Sequence, residues 1–136
     1  GKHRRPRLAI FVGRKVALKV LKPDLTDDTY KKRFAREAKV AGSLEDDHIC
    51  RVYQVGQDKD ISFIAMEFLQ GQTLEDKLAK DGWLPIPVAF RIAREIALGL
   101  AVAHDQNLIH RDIKPGNIFF VDGVAKLGDL NISKVM

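Results

Sequence analysis

The chain is short of several features that decide a protein's class. It has 136 residues and one cysteine, Cys50, so an internal disulfide is excluded and a reducing, cytoplasmic location is expected. No apolar run approaches the roughly 18 residues that cross a bilayer, and the N-terminus lacks the apolar core of a secretion signal. We therefore expect a globular domain with one core and no membrane segment.

The excess of positive charge is small and local. The net charge is +5, from 23 Lys and Arg against 18 Asp and Glu. Residues 2–7, "KHRRPR", contribute four of the positive charges, and without them 19 basic residues face 18 acidic ones. No aromatic residue interleaves with this cluster. A solvated basic end is therefore favoured over a nucleic-acid site, and no nucleic-acid partner is expected.

The first half of the chain predicts two strand pairs around one helix. Residues 8–11 and 15–21 are typical of strands, and residues 49–56 and 61–69 predict a second pair joined by the turn "QDKD". Residues 27–44 predict a helix, whose apolar stripe has i, i+4 spacing and comprises Tyr30, Phe34, Ala38 and Ala41. The order β-β-α-β-β indicates a small sheet with one helix.

The second half is more helical. Thr73 and Asp76 have capping-box spacing at the start of a short helix. A longer helix begins near Pro85 or Pro87 and runs to about Gln106; its apolar stripe comprises Val88, Ile92, Ile96 and Leu100. Two short strands, 117–121 and 124–128, follow and meet at an Asp-Gly turn. Together the two halves predict an α+β fold.

One lysine interrupts an apolar strand. "VALKVL" is apolar on both faces, which favours a central strand, yet it carries Lys19. A buried ammonium is costly unless an anion compensates it, and Glu37 on the following helix is a candidate partner. The alternative is an extended lysine with its ammonium in water and a surface glutamate. These two residues alone leave both possibilities open.

Charged side chains concentrate in the stretch "LIHRDIKPGN", residues 108–117. Asp112 and Asn117 lie five apart in this loop, and Asp129 ends a later strand. Oxygen ligands of this kind suit a hard divalent ion such as Mg²⁺, and a metal held in this way can bridge phosphate oxygens. Asp112 could then orient a hydroxyl group, while Lys114 neutralises a phosphoryl group in transfer. The pattern therefore indicates phosphoryl transfer.

These motifs in this order closely resemble those of eukaryotic-type protein kinases. The sequence V-A-L-K, a glutamate on the next helix, H-R-D-x-K-P-x-N and a later aspartate follow one another over residues 13–134. Lys114 resembles the serine/threonine branch, and the N-terminal half is similar to bacterial members. The resemblance implies a protein-kinase-like fold. A small antiparallel-sheet lobe and the start of the hinge would occupy residues 1–69, and residues 70–136 would begin a mainly helical large lobe.

The resemblance also implies roles for individual residues. Lys19 would hold the α- and β-phosphates of ATP and pair with Glu37, and Asn117 and Asp129 would bind Mg²⁺. Asp112 would be the catalytic aspartate and Lys114 would contact the γ-phosphate. The adenine ring would meet residues of the small lobe, the hinge and the strand after the catalytic loop: Ala17, Met66, the Glu67 carbonyl, the Leu69 backbone and Phe119.

Three departures from the family pattern qualify this interpretation. The segment before Lys19 contains no G-x-G-x-x-G loop, the D-F-G position reads "DLN", and the chain ends soon after Asn131. We therefore expect a truncated serine/threonine kinase domain that uses ATP and Mg²⁺ on a protein substrate. Helix 87–106 should expose its Val88, Ile92, Ile96 and Leu100 stripe and so offer a face to a partner chain. The alternative is a non-catalytic, pseudokinase-like interaction module.

Overall fold

The structure, a computed structural model, describes residues 7–11, 14–20, 28–58, 61–109 and 113–128. The chain separates into two compact units. In the described part, unit 1 comprises the residues up to Leu44 together with Arg51–Phe68, and unit 2 comprises Glu45–Cys50 together with the residues from Leu69 onward. None of the helices in these ranges has the length and apolar character needed to span a membrane.

Unit 1 is an antiparallel sheet with one helix. Its elements are β1 (Arg7–Phe11), β2 (Arg14–Val20), α1 (Asp28–Ser43), β3 (Val52–Asp58) and β4 (Ile61–Glu67). The strand order is β1-β2-β4-β3, with every neighbouring pair antiparallel. The predicted small antiparallel sheet with one helix is therefore confirmed. It places β2 and β4 inside the sheet and β3 at an edge.

Small residues bring α1 close to the sheet. Ala38 and Ala41, the two alanines of the predicted stripe, are each 1% exposed, and α1 packs against β3. Short side chains at these positions let the helix backbone approach the strand closely. The side chains of Tyr30 and Phe34, which complete the predicted stripe, lie outside the described residues.

The strand predicted at residues 49–56 begins later than expected, at Val52. Ile49 instead forms a parallel bridge with Leu127 in unit 2. The Cys50 N–H donates to the Leu127 carbonyl at 2.8 Å, and the Leu127 N–H donates to the His48 carbonyl at 2.9 Å. His48 Nδ1 also lies 2.9 Å from the Ala125 carbonyl. These backbone hydrogen bonds to Leu127 therefore hold Ile49 and Cys50 within unit 2 and outside the strand.

Unit 2 contains two helices and a hairpin. Its elements are α2 (Leu74–Asp81), α3 (Ile86–Asp105), a 3₁₀ turn (Pro115–Asn117), β5 (Ile118–Val121) and β6 (Val124–Leu127). The capping box predicted at the start of α2 is present. The Asp76 N–H donates to Thr73 Oγ1 at 3.0 Å, and the Thr73 N–H donates to Asp76 Oδ2 at 3.1 Å.

The core of unit 2 lies between α3 and the hairpin. Ile92 and Ile96 of α3 are buried against Ile118, Ala125 and Leu127, and the partly buried side chains around this cluster include Val88 and Leu100. The prediction that the Val88, Ile92, Ile96 and Leu100 stripe is exposed was therefore wrong, because the β5–β6 hairpin covers it. A different face of α3 is exposed, with Ile86 at 71% and Phe90 at 72%.

One carboxylate enters this core. Glu95 on α3 is 9% exposed, and its Oε1 accepts from the Ala125 N–H at 3.4 Å. Its Oε2 is buried and finds no hydrogen-bond partner within the described ranges. A buried acceptor without a donor costs free energy. The Glu95 hydrogen bond to the β6 backbone is therefore accompanied by a loss of stability at Oε2.

The hairpin turn is formed by the predicted Asp-Gly pair. Asp122 has φ of 53° and Gly123 has φ of 81°. Positive φ at both central residues is the requirement of a type I′ turn, which matches the twist of the strands on either side. Asp is among the residues that tolerate this conformation, and glycine adopts it without a steric penalty.

Substituting alanine at two glycines should change stability in opposite directions. Gly123→Ala should lower the free energy of unfolding by about 1 kcal/mol, because alanine at positive φ is strained. Gly42→Ala on α1 should raise it by roughly 0.5–1 kcal/mol, because a Cβ there meets nothing within 4 Å and alanine favours helix. Urea unfolding followed by circular dichroism measures both. Equal effects of the two substitutions would contradict the backbone explanation.

Candidate active site

Lys19 is the most unusual buried residue of unit 1. It lies on the inner strand β2, opposite Ile64 of β4, and is 2% exposed. The predicted central position of this lysine is therefore correct. Lys19 also has an interaction partner within the protein. Lys15, four residues earlier on the same strand, is exposed. Because water does not solvate it, the Lys19 ammonium depends on anionic or polar groups of the protein or of a ligand.

Two of the predicted adenine contacts share a sheet face with Lys19. Ala17 lies opposite Met66 on β4, and the two residues are 6% and 4% exposed. Side chains two apart on a strand point to the same side, so Ala17 and Lys19 lie on one face, and Met66 accompanies them as the cross-strand partner of Ala17. This face of the sheet therefore carries the apolar side chains of Ala17 and Met66 beside the cation of Lys19.

The end of β4, where the hinge was predicted, is held by Arg51. The Glu67 N–H donates to the Arg51 carbonyl at 2.7 Å, and the Arg51 N–H donates to Glu67 Oε1 at 3.2 Å. The first hydrogen bond fixes the Glu67 backbone, and the second fixes its side chain. Leu69, the second predicted hinge contact, is half-buried and is the first residue of the long segment of unit 2. The sequence contains no motif that singles out Arg51.

In unit 2, Asn117 is fixed by backbone hydrogen bonds on two sides. Its N–H donates to the Lys114 carbonyl at 2.9 Å across the 3₁₀ turn, and its own carbonyl accepts from the Gly128 N–H at 2.8 Å. Pro115 occupies the first position of this turn, where its missing N–H costs nothing. Asn117 is 8% exposed, which is deep burial for a carboxamide. Lys114 precedes the turn and is exposed.

Gly128 allows the Asn117 carboxamide to approach the backbone. A Cβ at residue 128 would overlap Asn117 Oδ1 and would lie 3.1 Å from Cε1 of Phe119. Glycine is therefore required by close approach. The contact brings the Asn117 amide oxygen and the Phe119 ring to the residue immediately before Asp129. The sequence signal for this position was a glycine between a strand and an acidic residue.

Several predicted site residues belong to parts of the chain that the structure does not describe. Asp112 and Asp129, together with His110 and Arg111 of the H-R-D motif, lie outside the described residues. The backbone of Glu37 belongs to α1, and its side chain lies outside them too. The structure therefore unites Lys19, Ala17 and Met66 on one face in unit 1. In unit 2 it brings Asn117 and Phe119 together at Gly128, with Lys114 at the start of the turn that carries Asn117.

The described residues contain no cluster of three or more His, Cys, Asp or Glu side chains suited to a metal ion. The predicted Mg²⁺ ligands are of a different kind. Asn117 contributes an amide oxygen, and the carboxylate of Asp129 lies beyond the described residues. The proposed ligand pair therefore remains a prediction, supported by the position of Asn117 beside Gly128.

The protein kinase domain family matches residues 9–136. The chain belongs to the protein kinase family. Among curated relatives, it is 37% identical over 128 residues to the serine/threonine-protein kinase PknA of Corynebacterium glutamicum, covering 89% of this chain and 27% of the relative. It is 36% identical over 129 residues to PrkC of Bacillus subtilis, covering 93% and 20%. The chain thus spans about a quarter of these kinases or less.

Solved kinase structures have the same fold. The kinase domain of PknI from Mycobacterium tuberculosis superposes with a TM-score of 0.75 at 28% identity, covering 96% of this chain and 59% of that one. Rad53 1-466 in complex with AMP-PNP superposes with a TM-score of 0.81 at 26% identity, covering 93% and 34%. These similarities confirm the predicted fold, a small antiparallel-sheet lobe followed by the start of a large lobe.

The contact between Asn117 and Gly128 predicts the effect of adding one methyl group. Gly128→Ala should displace the Asn117 carboxamide and lower the free energy of unfolding by about 1–3 kcal/mol, as overpacking usually does. Urea unfolding measures the loss, and Gly116→Ala is the matched control, because a Cβ there meets only the flexible end of Glu75. If Gly128→Ala is no more destabilising than Gly116→Ala, Asn117 is not held as described.

Proposed function

We propose that this chain is part of a serine/threonine protein kinase that binds ATP with Mg²⁺ and transfers the γ-phosphoryl group to serine or threonine hydroxyls of a protein. The observation that carries the proposal is Lys19. Its ammonium is buried on an inner strand, on the same sheet face as an alanine and a methionine. A cation beside an apolar surface matches a nucleotide, which has phosphates at one end and an aromatic base at the other.

The adenine ring is assigned to the apolar part of this face. Ala17 is short enough for a flat ring to lie against the sheet, and Met66 borders the same position. Phe119 of the hairpin would contact the opposite side of the ring, while the Glu67 carbonyl and Leu69 backbone would form hydrogen bonds with its edge. The structure of Rad53 1-466, which has the same fold, is a complex with AMP-PNP, and this supports a nucleotide site in this fold.

Asn117 and Asp129 are assigned to Mg²⁺. Amide and carboxylate oxygens are the hard ligands that this ion takes, and the burial of Asn117 favours a fixed ligand over a mobile surface amide. When bound, the ion would neutralise the phosphate oxygens of ATP. Lys19 would hold the α- and β-phosphates, with Glu37 on α1 as its carboxylate partner.

Asp112 and Lys114 are assigned to the transfer itself. The substrate hydroxyl oxygen forms a bond to the γ-phosphorus, and the bond from that phosphorus to the β–γ bridging oxygen breaks, releasing ADP. Asp112 accepts the hydroxyl proton, and the Lys114 ammonium neutralises charge on the moving phosphoryl group.

Nucleotide binding should depend on Lys19 and not on its exposed neighbour. Isothermal titration of the chain with ATP should show binding that requires Mg²⁺. Lys19→Ala should weaken it at least about tenfold, a loss of roughly 1.4 kcal/mol. The matched control is Lys15→Ala, an exposed lysine on the same strand, which should bind as the wild type does. Wild-type protein that binds no ATP in the presence of Mg²⁺ would overturn the proposal.

Transfer should depend on Asp112 without affecting nucleotide binding. Asp112→Asn should retain Mg²⁺-dependent ATP binding and lose at least about 100-fold in phosphate transfer to a mixed serine and threonine peptide substrate, because the proton acceptor is removed. Radiolabelled ATP measures the transfer. If the wild-type chain binds ATP with Mg²⁺ but transfers nothing, the non-catalytic alternative gains support and the catalytic part of the proposal fails for this chain.

A further inference from the structure

Three large apolar side chains are exposed at the start of α3. Ile86 and Phe90 lie one turn apart on the helix and are both largely exposed, and Trp83, in the turn before the helix, is 71% exposed. Leu84, the neighbour of Trp83, packs instead against the core cluster of unit 2. We call Trp83, Ile86 and Phe90 the α3 apolar patch. None of the three has a role in the proposed phosphoryl transfer.

The α3 apolar patch is small and continuous along the chain. Trp83 and Ile86 are three residues apart, which the backbone spans with about 11 Å when fully extended, and α3 rises about 6 Å from Ile86 to Phe90. An aromatic side chain has roughly 150–250 Å² of surface, so the three exposed side chains offer on the order of 400 Å². Apolar patches of this size on a monomer are often functional.

Exposed cations flank the patch on both sides in the sequence. Lys80 precedes it, and Arg91 and Arg94 follow Phe90 on α3. Within the described ranges, no carboxylate forms a salt bridge with any of these three cations. Their charges can therefore attract an anionic surface.

The neighbouring acidic residues contribute little negative charge to this surface. Residues 82–94 contain no Asp or Glu. Asp81, just before them, forms a salt bridge with Lys77 at 3.2 Å, and Glu95, just after them, is buried against the hairpin. The patch therefore combines apolar and aromatic side chains with cations that nearby carboxylates do not neutralise.

We propose that the α3 apolar patch binds the surface of an anionic phospholipid bilayer. The three apolar side chains would enter the boundary between head groups and acyl chains, and the three cations would contact lipid phosphates. Tryptophan prefers this boundary, because its ring is largely apolar while its indole N–H can donate to water or to a head group. The chain would lie on the membrane at this point without crossing it.

Area and charge both favour a bilayer over a protein partner. A stable protein–protein interface buries about 800 Å² on each side, roughly twice what the patch offers. A bilayer requires no matching surface, since a few inserted apolar side chains and nearby cations are sufficient for reversible binding. Anionic head groups complement the cations, whereas a second copy of the chain would bring the same positive charges against them.

Trp83 is the only tryptophan of the chain, so its fluorescence reports on the patch directly. Vesicles of phosphatidylglycerol and phosphatidylcholine should shift its emission to shorter wavelength, because the indole leaves water. Vesicle sedimentation should show at least about tenfold weaker binding to phosphatidylcholine alone. The basic residues 2–7 could also attract anionic vesicles, but binding through them would leave the Trp83 emission unchanged.

Two double variants separate the apolar contribution from the electrostatic one. Ile86→Ser with Phe90→Ser should weaken binding to the anionic vesicles at least about tenfold, because less apolar surface leaves water. Arg91→Glu with Arg94→Glu should weaken binding similarly and reduce its dependence on salt, because exposed charges are screened. Sedimentation at several salt concentrations measures both effects.

Matched controls in unit 1 test whether the patch itself is responsible. Ile61→Ser removes an exposed isoleucine, and Lys32→Glu with Lys39→Glu reverses two exposed cations. Both should bind the anionic vesicles as the wild type does. The two patch variants should unfold at the same urea concentration as the wild type, because the replaced side chains are exposed, and should bind ATP with Mg²⁺ equally well. The inference therefore stands independently of the proposed kinase activity.

Four results would overturn the membrane contact. They are a Trp83 emission that anionic vesicles do not shift, full-strength vesicle binding by the Ile86 and Phe90 double variant, equal weakening by the Lys32 and Lys39 control, and self-association that the Ile86 and Phe90 double variant abolishes in a chain that binds no vesicles. The third would reduce the binding to general charge attraction. The fourth, measured by analytical ultracentrifugation, would assign the patch to a second copy of the chain.

Discussion

The burial of one ammonium group is the constraint on which the proposed chemistry depends. Lys19 is enclosed on an inner strand with 2% of its surface exposed, where water cannot compensate its charge. A strand with neighbours on both sides is a rigid support, so the cation is held at a fixed position and its orientation does not rely on a loop. The same face offers Ala17 and Met66 as apolar surface. A phosphate-bearing aromatic ligand uses both properties, whereas a purely structural lysine would need only the first.

Unit 2 positions its polar residues by a different physical means. Asn117 stands at the joint between a 3₁₀ turn and β5, and the hydrogen bond to Gly128 closes the hairpin beneath it. Its carboxamide fits only because residue 128 has no side chain. A buried amide held on two sides loses little further freedom when it binds an ion, so preorganisation favours its assignment as a ligand. The apolar cluster between α3 and the hairpin holds in place the hairpin that follows Asn117.

Local patterns predicted most elements of the fold, and the deviations have identifiable causes. The inner position of β2, the capping box at Thr73 and the Asp-Gly turn were all predictable, because a pattern of neighbouring residues indicates each of them. The late start of β3 and the burial of the Ile92 and Ile96 face depend on β6, more than 20 residues from either, which no local pattern reveals. Motif order indicated the family, but Gly128 and Arg51 act through contacts that appear only in three dimensions.

The segment Glu45–Cys50 has a consequence for any attempt to divide the chain. It connects α1 to β3, both in unit 1, while its backbone pairs with β6 in unit 2. A fragment ending at Phe68 would keep this connector but lose the strand that binds it, uncovering Ile49 and Cys50 and leaving the Cys50 N–H and the His48 carbonyl to water. Exchanging the first 68 residues between two related proteins would likewise combine Glu45–Cys50 of one protein with β6 of the other. A workable chimera must therefore match Glu45–Cys50 to the recipient's β6, even though the two lie in different halves of the sequence.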